Sequence, residues 1–167
     1  SAPSISAVSI APEPARAGDE LVCSWTADAF VDADGDADAS AYRWTITTAD
    51  GSTTEAGSDG PLSSGFLVGD VVSCIVTPTD TDGATGEDVS QSITIANSPP
   101  VLSSVSITGP DPIQTDSALS CAAVATDADG SALLFTFAWT GADGELGRCS
   151  DLSSGEACGL TLTSGTV

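Results

Sequence analysis

The sequence predicts an all-β chain of two tandem antiparallel β-sandwiches, the second incomplete at its C-terminal end. Three observations support this prediction. Apolar and polar residues alternate with a period of two in short runs, as they do along half-buried strands. Asp-Gly pairs, which favour tight turns, lie between these runs. Several landmarks in the first part of the chain recur in the same order further along.

The strands are predicted from the alternating runs, each of which places one side in a core and the other in water. No window shows a convincing helical stripe. In the first copy the inward residues are Leu21, Cys23 and Trp25, then Tyr42, Trp44 and Ile46, then Val72, Cys74 and Val76, then Val89, Ile93 and Ile95. In the second copy they are Leu133, Phe135, Phe137 and Trp139. The turn signals are Asp50-Gly51, Asp59-Gly60, Asp82-Gly83 and Asp143-Gly144.

An internal repeat of about 95 residues, close to the size of one sandwich domain, divides the chain. Its landmarks are Val8-Ser9-Ile10 with Val105-Ser106-Ile107, Leu21-Val22-Cys23 with Leu119-Ser120-Cys121, Asp32-Ala33-Asp34-Gly35 with Asp127-Ala128-Asp129-Gly130, and Tyr42-Arg43-Trp44 with Phe137-Ala138-Trp139. We therefore predict one repeat over residues 1–97, a proline-rich linker over 98–100 and a second, truncated repeat over 101–167.

Composition excludes several partners. The chain has 24 acidic residues, 3 basic residues and a formal net charge of −21. Three arginines cannot form the basic surface that nucleic acid requires, and an anionic membrane would repel the chain. No apolar run is long enough to span a membrane, so no direct membrane insertion is expected. No signal peptide is visible, and the absence of Met fits a processed product or an internal piece, either of which would hide an export signal.

The order Cys23, Trp44, Cys74 resembles the immunoglobulin signature, in which a disulfide joins two sheets beside a buried indole. The acidic run Asp32–Asp36 lengthens the spacing between Cys23 and Trp44, and Val72 stands where antibody domains have a tyrosine. With its second-copy equivalents, the chain is therefore similar to the bacterial extracellular family of Ig-like, PKD-like and cadherin-like repeats rather than to antibody domains. The resemblance covers nearly the whole chain and indicates the fold better than the function.

The resemblance implies a Cys23–Cys74 disulfide, an oxidising extracellular or cell-surface location, and Trp44 and Trp139 as core residues of the sandwiches. Aligning Leu162 with Leu62 places the partner of Cys121 near position 174, so Cys121 is unpaired here and Cys149 pairs with Cys158. A competing alignment sets Leu152 against Leu62. It pairs Cys121 with Cys158 and leaves Cys149 free.

The acidic loops are the candidate metal sites. Asp32, Asp34 and Asp36 stand at alternate positions, and Asp127 and Asp129 repeat part of the pattern. Loop carboxylates at such positions can converge on calcium, although the order differs from that of an EF-hand. The alternative is that Asp and Gly simply build tight turns. No cofactor is required by the sequence.

Catalysis is not expected, because the chain has no His and no Lys to serve as a base or nucleophile and its cysteines are assigned to disulfides. The family resemblance implies a structural spacer, stalk or fibre module of a large exported protein, whose partners are neighbouring repeats of the same chain or fibre.

Two other functions stay open. An adhesin or carbohydrate-binding module, with calcium as an optional cofactor, would need an exposed aromatic. Trp25 is the residue to inspect, because Ala123 stands in its place in the second copy. A self-assembling filament subunit would instead complete the second repeat with a strand from another subunit.

Overall fold

The chain, described by a computed structural model over residues 1–162, forms strands and one short 3-10 helix. It divides into two compact units, Ser1–Ser98 and Pro99–Val167, and this division falls inside the predicted linker. Within the described residues no helix is long and apolar enough to cross a membrane. The all-β prediction is thus confirmed.

The strands of the first unit are β1 (Ser4–Ile5), β2 (Ser9–Ala11), β3 (Val22–Ser24), β4 (Phe30–Val31), β5 (Ala41–Thr47), β6 (Thr53–Ser58), β7 (Val71–Thr77) and β8 (Val89–Thr94), and the 3-10 helix spans Ala27–Ala29. Four of these strands form an antiparallel sheet in the order β6-β5-β7-β8. A second layer is formed by β3, which pairs with β2, and by a bridge between Leu21 and Leu62. Strand β1 pairs with β4.

The core of the first unit lies where the predicted inward residues meet. Along β7 every second residue is buried, because the pleat turns Val72, Cys74 and Val76 to one side. Trp44 on the neighbouring β5 lies directly opposite Cys74, is 1% exposed, and donates its indole N–H to the Gly60 carbonyl oxygen at 2.7 Å. The indole thus buries a large apolar surface without leaving its one donor unpaired.

Over residues 99–162 the second unit has two sheets, of orders β13-β10-β9 and β11-β12, all antiparallel. The predicted alternation from Leu133 to Trp139 is present, since every second side chain in this run is partly buried and those between are exposed. Its strands are β9 (Val101–Thr108), β10 (Ala118–Thr126), β11 (Phe135–Gly141), β12 (Gly144–Leu152) and β13 (Ala157–Thr161).

The strand register shows which leucine of the second unit corresponds to Leu62, and the result differs from the alignment predicted from the sequence. Leu119 lies opposite Leu160, just as Leu21 bridges to Leu62. Leu160, rather than the predicted Leu162, therefore occupies the position of Leu62. The competing candidate, Leu152, lies opposite Phe135 at the end of β12 and belongs to the other sheet. Neighbouring leucines two positions apart face the same way, so the pattern alone does not distinguish them.

The second unit is more open than the first. In the first unit β5 pairs with β6 on one edge and β7 on the other, whereas within residues 99–162 the equivalent strand β11 pairs with β12 alone. Ile10 and Ile107 lie opposite equivalent cysteines, yet Ile10 is 7% exposed and Ile107 is 65% exposed. The predicted core residue Trp139 is likewise only partly buried, because no described strand covers it as β7 covers Trp44.

Candidate functional site

The acidic loop between β4 and β5 is wound around the carboxylate of Asp32. Its Oδ1 accepts the backbone N–H of Asp34 at 2.8 Å and that of Asp36 at 3.3 Å. Gly35 lies between these two residues with a φ of 83°, a conformation that a side chain would disfavour. One carboxylate oxygen from each of Asp32, Asp34 and Asp36 lies within 4.8 Å of the others. The structure thus brings the three predicted ligands of the first repeat together.

Negative charge concentrates in this loop. Desolvation and the charges of Asp82, Asp32, Asp80 and Asp34 raise the pKa of Asp36. Desolvation acts in the same direction on Asp32, but hydrogen bonds from the backbone N–H groups of Asp34 and Asp36 and from the Ser1 side chain lower the pKa of that carboxyl. The Ser1 hydroxyl also donates to Asp32 at 3.2 Å. Hydrogen-bond donors therefore favour the ionised form of Asp32, whereas neighbouring negative charges disfavour that of Asp36.

A second loop, after β7, packs against the first through backbone contacts. The N–H of Thr81 donates to the Ala37 carbonyl at 3.0 Å, and the N–H of Ala39 donates to the Thr79 carbonyl at 2.8 Å. Asp80 bridges to Asp38 and is 2% exposed. Asp80 is not among the ligands predicted from the sequence. The sequence did contain an indication of its burial. The alternation of buried residues along β7 continues to position 80, where an apolar residue would be expected.

Asp38 stands at the end of the acidic run but has a different role. It accepts the indole N–H of Trp25 at 2.8 Å and the backbone N–H of Ser40 at 2.9 Å. Desolvation opposes its ionisation, yet bonds from Ser40 and Trp25 lower its pKa. Trp25 also contacts the Tyr42 ring edge-on, with centroids 6.1 Å apart. Trp25 is thus a partly buried anchor for the loop, rather than the freely exposed aromatic on which a glycan could stack.

The equivalent loop of the second unit repeats the turn but has fewer carboxylates. Asp127 Oδ1 accepts the N–H of Asp129 at 2.9 Å and that of Ser131 at 3.3 Å. Ser131 therefore stands where the first unit has Asp36. Among the described residues, the only group of three or more carboxylate, Cys or His side chains arranged to hold a metal is Asp32, Asp34 and Asp36. The predicted site at Asp127 and Asp129 therefore has two carboxylates, one fewer than the cluster of the first unit.

The cysteines form two disulfides. Cys23 on β3 is bonded to Cys74 on β7 and so joins the two layers of the first unit. Cys149 on β12 is bonded to Cys158 on β13, and Cys121 has a free thiol. Cys121 lies directly opposite Cys158 in the β10–β13 register, yet Cys158 is bonded to Cys149. The alternative pairing, Cys121 with Cys158, is therefore absent from the structure.

Comparisons of this chain with protein-family models, curated proteins and solved structures found no match.

Proposed function

We propose that the chain is a non-catalytic spacer or stalk segment of a large exported bacterial surface protein. The observation that carries this proposal is the first unit, in which a buried disulfide and a buried indole clamp two β-layers together. A second unit built on the same register follows directly after it. Tandem rigid modules provide reach, and covalent clamps limit how far each can be extended. The two disulfides also support an oxidising, extracellular location.

The Cys23–Cys74 bond should limit how far the first unit lengthens when its ends are pulled apart. The two cysteines are 51 residues apart in sequence, and the segment between them cannot extend while the bond is intact. At about 3.5 Å per extended residue, about 180 Å of contour length stays locked.

Single-molecule pulling of the full chain, with and without reductant, would measure this length. Reduction is expected to lengthen the unfolding step of the first unit by about 180 Å. The matched control is the same experiment on a chain carrying Cys23→Ala and Cys74→Ala, where reductant should leave that step unchanged. Micromolar binding of the full chain to a soluble glycan or protein, measured on a ligand array, would contradict the spacer role.

A second candidate function, completion of the second unit by a strand from another subunit in a filament, is favoured by the edge of β11 that no strand within residues 99–162 covers. In the first unit the strand at the equivalent edge is β7, whose Cys74 lies opposite Trp44 and is bonded to Cys23. The second unit has a tryptophan and a free thiol at the equivalent places, Trp139 and Cys121. A strand added beside β11 would cover Trp139 and could bond Cys121, a form of β-strand addition.

A peptide with the β7 sequence Val71–Thr77 tests this candidate. Under mild oxidation we expect it to form a disulfide with Cys121, detected by mass spectrometry, and to quench or shift the fluorescence of Trp139 in a chain carrying Trp25→Phe and Trp44→Phe. A scrambled peptide with the same composition is the control, because it has the thiol without the alternating pattern. Equal labelling of Cys121 by both peptides, with no change in fluorescence, would exclude strand addition.

A further inference from the structure

We propose that Asp80 joins Asp32, Asp34 and Asp36 in a calcium site that ties the loop after β7 to the loop after β4. The proposal does not depend on the spacer role, because it rests on the carboxylates of the first unit alone.

The first observation is a buried carboxylate oxygen without a partner. Asp80 is 2% exposed, and its Oδ1 accepts the N–H of Ala84 at 2.8 Å. Its Oδ2 is buried and has no hydrogen-bond partner among the described residues. Burial of a carboxylate is strongly unfavourable unless the group is paired, hydrogen-bonded or bound to a metal. The Oδ2 atom of Asp80 is therefore available as a metal ligand.

The second observation places Asp80 beside the acidic cluster. Its backbone bridges to Asp38, two residues beyond Asp36. The N–H of Thr81, the residue after Asp80, donates to the carbonyl of Ala37, the residue after Asp36, at 3.0 Å. The backbone of Asp80 therefore runs alongside the residues that follow Asp36. A cation among these groups would interact with four carboxylates drawn from two loops.

The donor set selects calcium among the common metals. All four proposed ligands are carboxylates, which are hard oxygen donors. Calcium accepts six to eight oxygens in flexible geometry, so water can complete the shell, whereas magnesium requires a near-ideal octahedron and dehydrates reluctantly. Zinc prefers Cys and His ligands, and the chain has no His and only one cysteine outside its two disulfides.

The predicted consequence is a bridge between chain segments far apart in sequence. The loop of residues 32–36 connects β4 to β5, and Asp80 follows β7. The two loops already contact each other through the backbone of residues 37–39 and 79–81. Calcium would neutralise the mutual repulsion of these carboxylates and hold the side chains together as well. It would therefore stabilise the folded state by mass action.

Calorimetric titration of the metal-free full chain with calcium chloride tests the proposal. We expect one calcium ion per chain with a dissociation constant of about 0.1–1 mM, the range of extracellular modules, and weaker binding of magnesium. Asp80→Asn, which keeps the size and one oxygen but removes the charge, should weaken calcium binding at least about tenfold. The matched control is Asp143→Asn, an exposed carboxylate in the turn between β11 and β12 of the second unit, which should leave the affinity unchanged.

Terbium luminescence gives a second measurement that does not require the Asp80 variant to fold. Trp25 bonds Asp38, beside the proposed site, so it should sensitise emission from a terbium ion bound there. Trp25→Phe should abolish most of that emission, and calcium should displace the terbium. Asp36→Ser, which reproduces the second unit, should weaken terbium binding. The proposal is overturned if the wild-type chain gives no saturable calcium signal, or if folded Asp80→Asn binds calcium with wild-type affinity.

Discussion

Replacement of Cys23 and Cys74 together by alanine is expected to lower the free energy of unfolding of the first unit by about 4 kcal/mol. The bond closes a sequence separation of 51 residues, and in the chain-entropy treatment a loop of this length greatly restricts the unfolded chain. Both sulfurs are buried, with Cys23 6% exposed and Cys74 0% exposed, so their loss also removes packed atoms. Urea unfolding followed by tryptophan fluorescence, in a Trp139→Phe background that silences the second unit, measures the change.

The control for this prediction is the second disulfide. The Cys149–Cys158 bond closes a sequence separation of nine residues, for which the same treatment gives about 2.5 kcal/mol. Replacing that pair should leave the unfolding of the first unit unchanged, because both cysteines belong to the second unit. A first unit of unaltered stability without Cys23 and Cys74 would show that the bond does not clamp the two layers.

Trp44→Ala is expected to destabilise the first unit by about 3–5 kcal/mol, the range for removing a buried aromatic side chain. Trp44 is 1% exposed and sits opposite Cys74, so the cavity would open beside the disulfide. The substitution also deprives the Gly60 carbonyl oxygen of the indole donor. The thermal midpoint of the first unit, measured by scanning calorimetry on the full chain, should fall accordingly.

Two variants separate the contributions at this position. Trp44→Phe keeps most of the apolar volume but loses the bond to Gly60, so it should cost less than the alanine variant. Trp139→Ala, at the equivalent position of the second unit, should cost that unit less than Trp44→Ala costs the first, because Trp139 is only partly buried. Equal losses at the two tryptophans would contradict the difference in burial between the two units.

Local patterns predicted the strands well. The alternation of Val72, Cys74 and Val76 identifies β7, and that of Tyr42, Trp44 and Ile46 identifies β5, because the period of a strand is set by its own backbone. The loop of residues 32–36 was also predictable, since Asp and Gly at these positions form a turn around Asp32.

Features that depend on distant segments were not predictable in this way. Asp80 lies next to the cluster only because β7 ends beside the acidic loop, and nothing in the local run of residues 78–84 reveals that contact. Trp25 matched the inward pattern, but its bond to Asp38 depends on how the loop folds back. Trp139 has the same sequence pattern as Trp44, yet its burial depends on a covering strand rather than on its own neighbours.

The bond between Cys23 and Cys74 also affects how the chain withstands proteolysis. With no Lys and only Arg16, Arg43 and Arg148, the chain offers a trypsin-like protease few cleavage sites. Arg43 lies on β5, hydrogen-bonded into the sheet on both edges, and within the segment enclosed by the bond. A cut there would leave two pieces joined through sulfur, so a nicked molecule would keep both parts of its first unit covalently attached.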